Sequence, residues 1–171
     1  MSIHNKINVA VIGATGYTGL DLTLLLSVHP KVSIKYLCAT KNLGKKINYF
    51  DKRIKKKLPK ISSVKKLDLN KIDLIFLSLP NGEAQKFIIK NYFKNTHIKY
   101  IDLSADFRIS NIKIYENNYK IKHKAKKIIK DSIYLIPELY KKINKNIRII
   151  SNPGCYPTSI QLPLVPIIKD N

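Results

Sequence analysis

An α/β fold with a doubly wound, mostly parallel sheet is what this sequence predicts, and three observations predict it. Short β-rich runs alternate with helical stretches along the chain, the order that builds parallel strands joined by crossover helices. Gly13, Gly16 and Gly19 punctuate the passage from the first such run into the first helical stretch. No internal repeat and no Gly/Ser-rich linker interrupts the alternation.

Ile7 to Ile12 (INVAVI) is a short apolar run that ends at a glycine, the pattern of a buried strand. Tyr17 to Val28 follows as a helix with Leu20 and Leu24 on one face, stopped by Pro30. Val32 to Ala39 is a second strand, and Cys38 within it reads as core. Residues 41–71 are lysine-rich and weakly patterned, a surface loop with a short strand or helix. Ile72 to Leu79 (IDLIFLSL) is the clearest strand, closed by Pro80-Asn81-Gly82. Glu83 to Phe93 reads as a helix and Lys99 to Leu103 as a strand. Residues 110–145 are polar and lysine-rich around Ile133 to Leu139, and Asn146 to Ile150 is a last strand running into Cys155.

Composition bounds the function. A chain of 171 residues with 44% hydrophobic content is globular and fills one domain. No apolar stretch approaches the ~20 residues of a membrane span, and the first residues lack the apolar run of a signal peptide. Two cysteines are too few for a disulfide framework. The expectation is a soluble cytoplasmic protein with neither a membrane nor a metal partner. Its formal charge of +21 raises nucleic-acid binding. Only Arg53, Arg108 and Arg148 among the 32 basic residues are arginines, however, and no stacking-aromatic motif accompanies the lysines. The lysines travel with isoleucine and asparagine throughout, as in the coding of an AT-rich genome. No specific nucleic-acid partner is expected, only weak non-specific adhesion.

Two motifs carry chemistry. Gly13-Ala14-Thr15-Gly16-Tyr17-Thr18-Gly19 joins strand to helix as a GxxGxxG variant of the dinucleotide fingerprint. Such a turn lets the backbone approach a pyrophosphate and aims a helix N-terminus at its charge, which makes the sheet Rossmann-like. The competing reading is a structural glycine turn. An NAD site expects a carboxylate at the end of the second strand for the ribose hydroxyls. Here that position reads Ala39-Thr40-Lys41-Asn42, so Thr40 and Lys41 are placed for a 2′-phosphate and the expected cofactor is NADP. At the other end, Ser151-Asn152-Pro153-Gly154-Cys155-Tyr156-Pro157-Thr158 hands a cysteine to the start of a helix. With Pro157 at the first helical position, Cys155 sits just outside the helix mouth, where unpaired N–H groups favour a thiolate. The competing reading is a small buried core cysteine.

With these two motifs at its ends, the chain resembles N-acetyl-gamma-glutamyl-phosphate reductase. Similar stretches follow in the family's order: the glycine turn, Leu79-Pro80-Asn81-Gly82, Ile101 to Arg108 (IDLSADFR), Tyr134 to Leu139 (YLIPEL) and Ser151 to Thr158. The resemblance implies Cys155 as the nucleophile that attacks an acyl phosphate and forms a thioester, which NADPH reduces to the semialdehyde. It implies a cofactor site of Gly13, Thr15, Gly16, Thr18, Gly19, Thr40, Lys41 and Gly82, with Arg108 and Asn152 anchoring acidic substrate groups. It also implies a small-molecule acyl phosphate partner, an arginine-biosynthetic role and, for full-length members, a homo-oligomer. Residues 1–150 then form the NADP-binding domain, and 151–171 begin a second, α/β catalytic domain truncated after the cysteine.

Three departures from the family pattern set further expectations. Leu135 replaces a glycine that serves a backbone need. Pro163 and Pro166 fall in the helix after Cys155, each costing about 3 kcal/mol unless the helix kinks or ends. The family's catalytic histidine lies beyond this sequence. His4 is terminal, His29 ends a helix, His97 precedes a strand, and His123 reads as a solvated loop residue. Two alternatives stay open: an enzyme of the aspartate-semialdehyde dehydrogenase type, against which the DLSADFR and NPGCYPT stretches argue, and a non-catalytic nucleotide-binding fragment of a decayed gene.

Overall fold

The computed structural model describes residues 6–139, 144 and 146–169, so His4 lies outside the described residues. Along them run β1 (Ile7–Ile12), α1 (Tyr17–Val28), β2 (Val32–Cys38), β3 (Ile61–Ser62), β4 (Leu74–Leu77), α2 (Glu83–Asn91), β5 (Lys99–Asp102), α3 (Ile112–Tyr119), β6 (Ser132–Tyr134), β7 (Ile149–Ser151) and α4 (Cys155–Lys169). The chain divides into two compact units, residues 1–79 with 95–99, and residues 80–94 with 100–171. In the first unit the strands lie in the order β3-β2-β1-β4, in the second β5-β7-β6, and every described pairing is parallel. This is the open, parallel α/β architecture of the Rossmann-like class.

In the first unit, β1 is flanked on both sides, by β2 and β4. Its last four residues, Val9 to Ile12, are accordingly all buried rather than alternating. Small and polar residues with one leucine line the buried stripe of α1: Gly19, Thr23, Leu26 and Ser27, spaced at the helical repeat. The lysine-rich stretch 41–71 contributes more than surface. Ile47, Ile54 and Ile61 enter the same core as Val9, Val11, Ile34 and Leu37, and Ile61 pairs with Leu37 through the short β3.

In the second unit the largest buried side chains include Tyr100, Phe107, Tyr115 and Leu135. The Arg148 guanidinium lies 3.9 Å over the Tyr92 ring, a cation–π contact. Helix α3 is not marked out by the lysine-rich composition of 110–145. Asn111 starts it, its side-chain oxygen accepting from the Ile114 N–H at 3.2 Å. Leu135 meets no glycine requirement. Among the described residues the non-glycine positions with positive φ are Asn42 and Lys120, and Leu135 is buried with its N–H donating to the Ser151 carbonyl at 3.2 Å.

Helix α4 corrects the expected placement of Cys155. The Thr158 N–H donates to the Gly154 carbonyl at 3.0 Å, so Gly154 is the cap and Cys155 is the first helical residue, not a residue outside the helix. Pro157 is then the third, still among the positions whose N–H has no intrahelical acceptor. The helix also runs through Pro163 and Pro166 to Lys169. Both prolines and Ser159 are exposed, so water can serve the Ser159 carbonyl that Pro163 leaves without a donor. Among the described residues no helix is long and apolar enough to cross a membrane.

Candidate functional site

The glycine turn occupies the point in the first unit where strand order reverses. In open α/β sheets the crevice for ligands lies outside the strand ends at such a reversal. The Gly13 and Ala14 N–H groups both donate to the Cys38 carbonyl, at 2.9 and 3.0 Å, and the Gly16 N–H donates back to the Gly13 carbonyl at 3.1 Å. Gly13 has φ +85°, and a Cβ there would lie 1.9 Å from the Ser78 carbonyl oxygen. A Cβ on Gly19 would lie 2.1 Å from the Gly13 oxygen. Backbone therefore passes against backbone at both positions, leaving no room for a side chain within the turn. No side chain caps the start of α1, and its first turn carries no carboxylate. Its free N–H groups suit an anion, and the pyrophosphate of a dinucleotide fits this cradle.

The flanking residues have separate placements. Thr15 is half-buried, whereas Gly16 and Thr18 are exposed at the helix start. Thr40 and Lys41 are exposed just past β2, one and two residues beyond the buried Ala39, whose N–H donates to the Ser62 carbonyl at 3.1 Å. No acidic side chain stands among residues 39–42. Gly82 belongs to the second unit. It caps α2 with φ +89°, and its N–H donates to Asp106 Oδ1 at 2.7 Å.

The second unit also carries the cysteine loop. Cys155 is exposed. The loop before it is gripped at Asn152: its N–H donates to the Asp102 carbonyl at 2.8 Å, and its carbonyl accepts from Arg108 Nε at 3.0 Å. Arg108 Nη2 donates to the Leu103 carbonyl at 3.0 Å. The guanidinium also packs on Gly154, where a Cβ would come within 3.1 Å of Nη1. Arg108, Asn152 and Cys155 are thus brought together. The Asn152 side chain turns back on its own loop, donating to the Pro153 carbonyl at 2.9 Å. Cys38, by contrast, is fully buried. Burial pushes its thiol up from the ordinary range, against a weaker lowering by the Ser62 hydroxyl.

A buried polar cluster in the second unit was not visible in the sequence. Asp106, fully buried, accepts from the Gly82 N–H at 2.7 Å, the Gln85 N–H at 3.0 Å and the Tyr115 hydroxyl at 2.7 Å. Burial first, then the bond to Asp106, raises the Tyr115 phenol above its ordinary range. His123 is not solvated. It is 1% exposed, and its Nε2 donates to the Asp106 carbonyl at 2.8 Å. Its ring meets those of Phe107 and Tyr115 edge-on, at 5.8 and 4.9 Å. The Gln85 side-chain oxygen accepts from the Lys124 N–H, binding the lysine-rich loop to α2. The available signal was the acidic pair inside a hydrophobic DLSADF run, since carboxylates in such a run are seldom buried without partners.

The family model described as the semialdehyde dehydrogenase NAD-binding domain matches residues 8–147. The chain is 44% identical to N-acetyl-gamma-glutamyl-phosphate reductase of Brachyspira hyodysenteriae, over 96% of this chain and 50% of that protein. It is 42% identical to the same-named protein of Ehrlichia ruminantium, over 96% and 47%. With the probable chloroplastic reductase of Oryza sativa it shares 40% identity over 96% and 39%. The chain therefore spans about half or less of the length of these relatives. Among solved structures, aspartate semialdehyde dehydrogenase II of Vibrio cholerae has the same fold, with a TM-score of 0.65 at 20% identity over 96% of this chain and 43% of that one. The Candida albicans aspartate semialdehyde dehydrogenase with NADP gives 0.60 at 20%, over 97% and 48%.

Proposed function

The chain belongs to the semialdehyde dehydrogenase NAD-binding domain family, and from that premise we propose that it carries the cofactor cradle and nucleophile of an N-acetyl-gamma-glutamyl-phosphate reductase. The observation that carries the reading is Cys155: exposed, in the first turn of α4, on a loop held at Asn152 from both sides. A cysteine so presented attacks the acyl carbon of N-acetylglutamyl phosphate through Sγ. The C–O bond to phosphate breaks, phosphate leaves with the electron pair, and a thioester remains on Cys155. Bound NADPH supplies the hydride that takes this acyl group to the aldehyde oxidation level. Arg108, with its remaining N–H groups, and Asn152 are the candidates for holding the substrate's acidic groups. Residues 151–171 then open the catalytic half, in a cytoplasmic enzyme of arginine biosynthesis whose full-length form is a homo-oligomer. Offering N-acetylglutamyl phosphate or aspartyl phosphate to the chain, and reading intact mass, tests the substrate. An acyl adduct from the first and not the second is expected; the reverse preference favours an aspartate-semialdehyde dehydrogenase.

The same reading assigns NADP rather than NAD, because Lys41 and Thr40 are exposed beyond β2 and no carboxylate accompanies them. One charge-assisted contact to the 2′-phosphate is worth about tenfold in affinity or more. NADPH is therefore expected to bind about tenfold tighter than NADH in a fluorescence titration, and Lys41→Glu to reverse the order. Equal affinities in the unaltered chain would remove Lys41 from the site.

A further inference from the structure

We propose that Asp102 is a positioning residue for Cys155: its carboxylate fixes the loop that holds Arg108 and Asn152, and taking up a proton loosens that hold. The inference rests on the reading of Cys155 as the nucleophile. Asp102 reaches the cysteine loop by two routes. Its main-chain oxygen accepts the Asn152 N–H at 2.8 Å. Its Oδ1 accepts the Ser104 N–H at 2.9 Å, which bends residues 102–104 so that the Leu103 carbonyl receives Arg108 Nη2 at 3.0 Å. Arg108 Nε closes the ring on the Asn152 carbonyl at 3.0 Å. Both polar groups of the Asn152 backbone are thus fixed by Asp102, directly or through Arg108, three residues before the thiol.

The other half of the carboxyl is unusual. Asp102 is fully buried, and among the described residues Oδ2 has no hydrogen-bond partner. Ser151, its register partner on β7, is also fully buried, and Ser151 Oγ likewise has no partner among the described residues. Register partners on neighbouring parallel strands project from the same face about 4.8 Å apart. A protonated Asp102 can therefore turn its new O–H toward Ser151, whereas the carboxylate is an acceptor only and bonds the Ser104 N–H more strongly.

Among the described residues, the charged and titratable groups that act on it are Asp106, Arg108 and Tyr115. Burial is the largest influence and pushes the carboxyl up to about 6, with Asp106 adding to the rise and the Ser104 bonds and Arg108 opposing it. The folded chain therefore holds this proton more tightly than the unfolded chain. The stability it contributes is full below about pH 4 and is lost as pH rises through about 6. Ionisation thus weakens the fold while it tightens the cysteine loop, so the two readouts move in opposite directions. A merely structural role would move them together.

The test is the rate of Cys155 alkylation by iodoacetamide, located by peptide mass mapping, for the unaltered chain and for Asp102→Asn between about pH 5 and pH 7.5. Urea midpoints are measured across the same range, which brackets the titration. The rate ratio of unaltered chain to variant is expected near one at the acid end, rising to about threefold or more at the alkaline end. Asp102→Asn should have the higher urea midpoint at the alkaline end, by a margin that shrinks toward the acid end and closes only below about pH 4. Ser151→Ala, which removes the hydroxyl that accepts the O–H of the protonated acid, should move the step to lower pH. A ratio that stays flat or falls with pH, or a midpoint and a rate that drop together in Asp102→Asn, overturns the proposal. A Cys155 that reacts no faster than glutathione counts against the nucleophile reading instead, and the ratio still decides the role of Asp102.

Discussion

Gly13→Ala is expected to lower the melting temperature by about 10 °C or more. A Cβ there would lie 1.9 Å from the Ser78 carbonyl oxygen and 2.8 Å from the Ser78 carbonyl carbon. Both are backbone atoms, just past the end of β4, so no rotamer change relieves the clash. The main chain at the strand ends must separate, and the Ser78 N–H bond to the Ile12 carbonyl at 2.8 Å goes with it. Left-handed backbone at φ +85° adds a second cost for any residue with a Cβ, about 1–2 kcal/mol. Overpacking of a tight interior adds about 1–3 kcal/mol more. Together these consume much of a margin of about 5–15 kcal/mol, and a shift of about 10 °C or more in Tm follows. Two other glycines separate the causes. Gly44→Ala meets φ +83° with nothing within 4 Å, and Gly16→Ala meets only an ordinary 3.5 Å contact with the Gly13 oxygen. Thermal melts by circular dichroism should rank Gly13→Ala far below Gly44→Ala, with Gly16→Ala near the unaltered chain. If Gly13→Ala melts together with Gly44→Ala, strain rather than close approach governs the turn, and the cradle is looser than described.

The same region shows what a sequence makes legible. Helix α1 spans Tyr17–Val28 as its pattern predicts, because glycine on one side and Pro30 on the other end it by local chemistry. β1 matches its apolar run for the same reason. Cys38 as core and Cys155 as the exposed thiol also follow from local context. What stayed hidden depends on partners far along the chain. Asp106 is satisfied by residues 82, 85 and 115, and His123 by the Asp106 carbonyl, so the DLSADF run could hint at a buried carboxylate but not name its partners, and nothing beside His123 marked it as buried. Lysine spread across residues 110–130 masked α3, whose remaining mark is the capping Asn111. At α4 the prolines were legible as interruptions of the ladder, but that the helix continues through them to Lys169 was not, because exposure of the freed carbonyls is a tertiary property.

Cys155→Ser is expected to abolish acyl transfer, a loss on the order of 10³-fold or more for removal of a covalent nucleophile. Serine matches the shape, so the hydrogen bonds at Asn152 and the packing of Gly154 on Arg108 should survive, and a loss cannot be assigned to unfolding. Its hydroxyl nevertheless stays protonated unless a base is held against it, whereas a thiol supplies its anion far more readily. Cys38 cannot substitute. It is fully buried at the end of β2, within 3.8 Å of the Ser62 hydroxyl, and burial favours its neutral thiol. Mixing the chain with N-acetylglutamyl phosphate should therefore release one equivalent of phosphate and leave one acyl group on the Cys155 peptide. Cys38→Ser should retain both signals, and Cys155→Ser should lose both while keeping the circular dichroism spectrum of the unaltered chain. Between them lies Gly154→Ala, whose Cβ would sit 3.1 Å from Arg108 Nη1, so the guanidinium must yield by a few tenths of an ångström. It should slow acylation without eliminating it, since the thiol remains and only its support shifts. Adduct mapped to Cys38, or phosphate release undiminished in Cys155→Ser, would sink the covalent mechanism. Loss in Gly154→Ala as complete as in Cys155→Ser would instead make the grip of Arg108 on this loop as necessary as the sulfur itself.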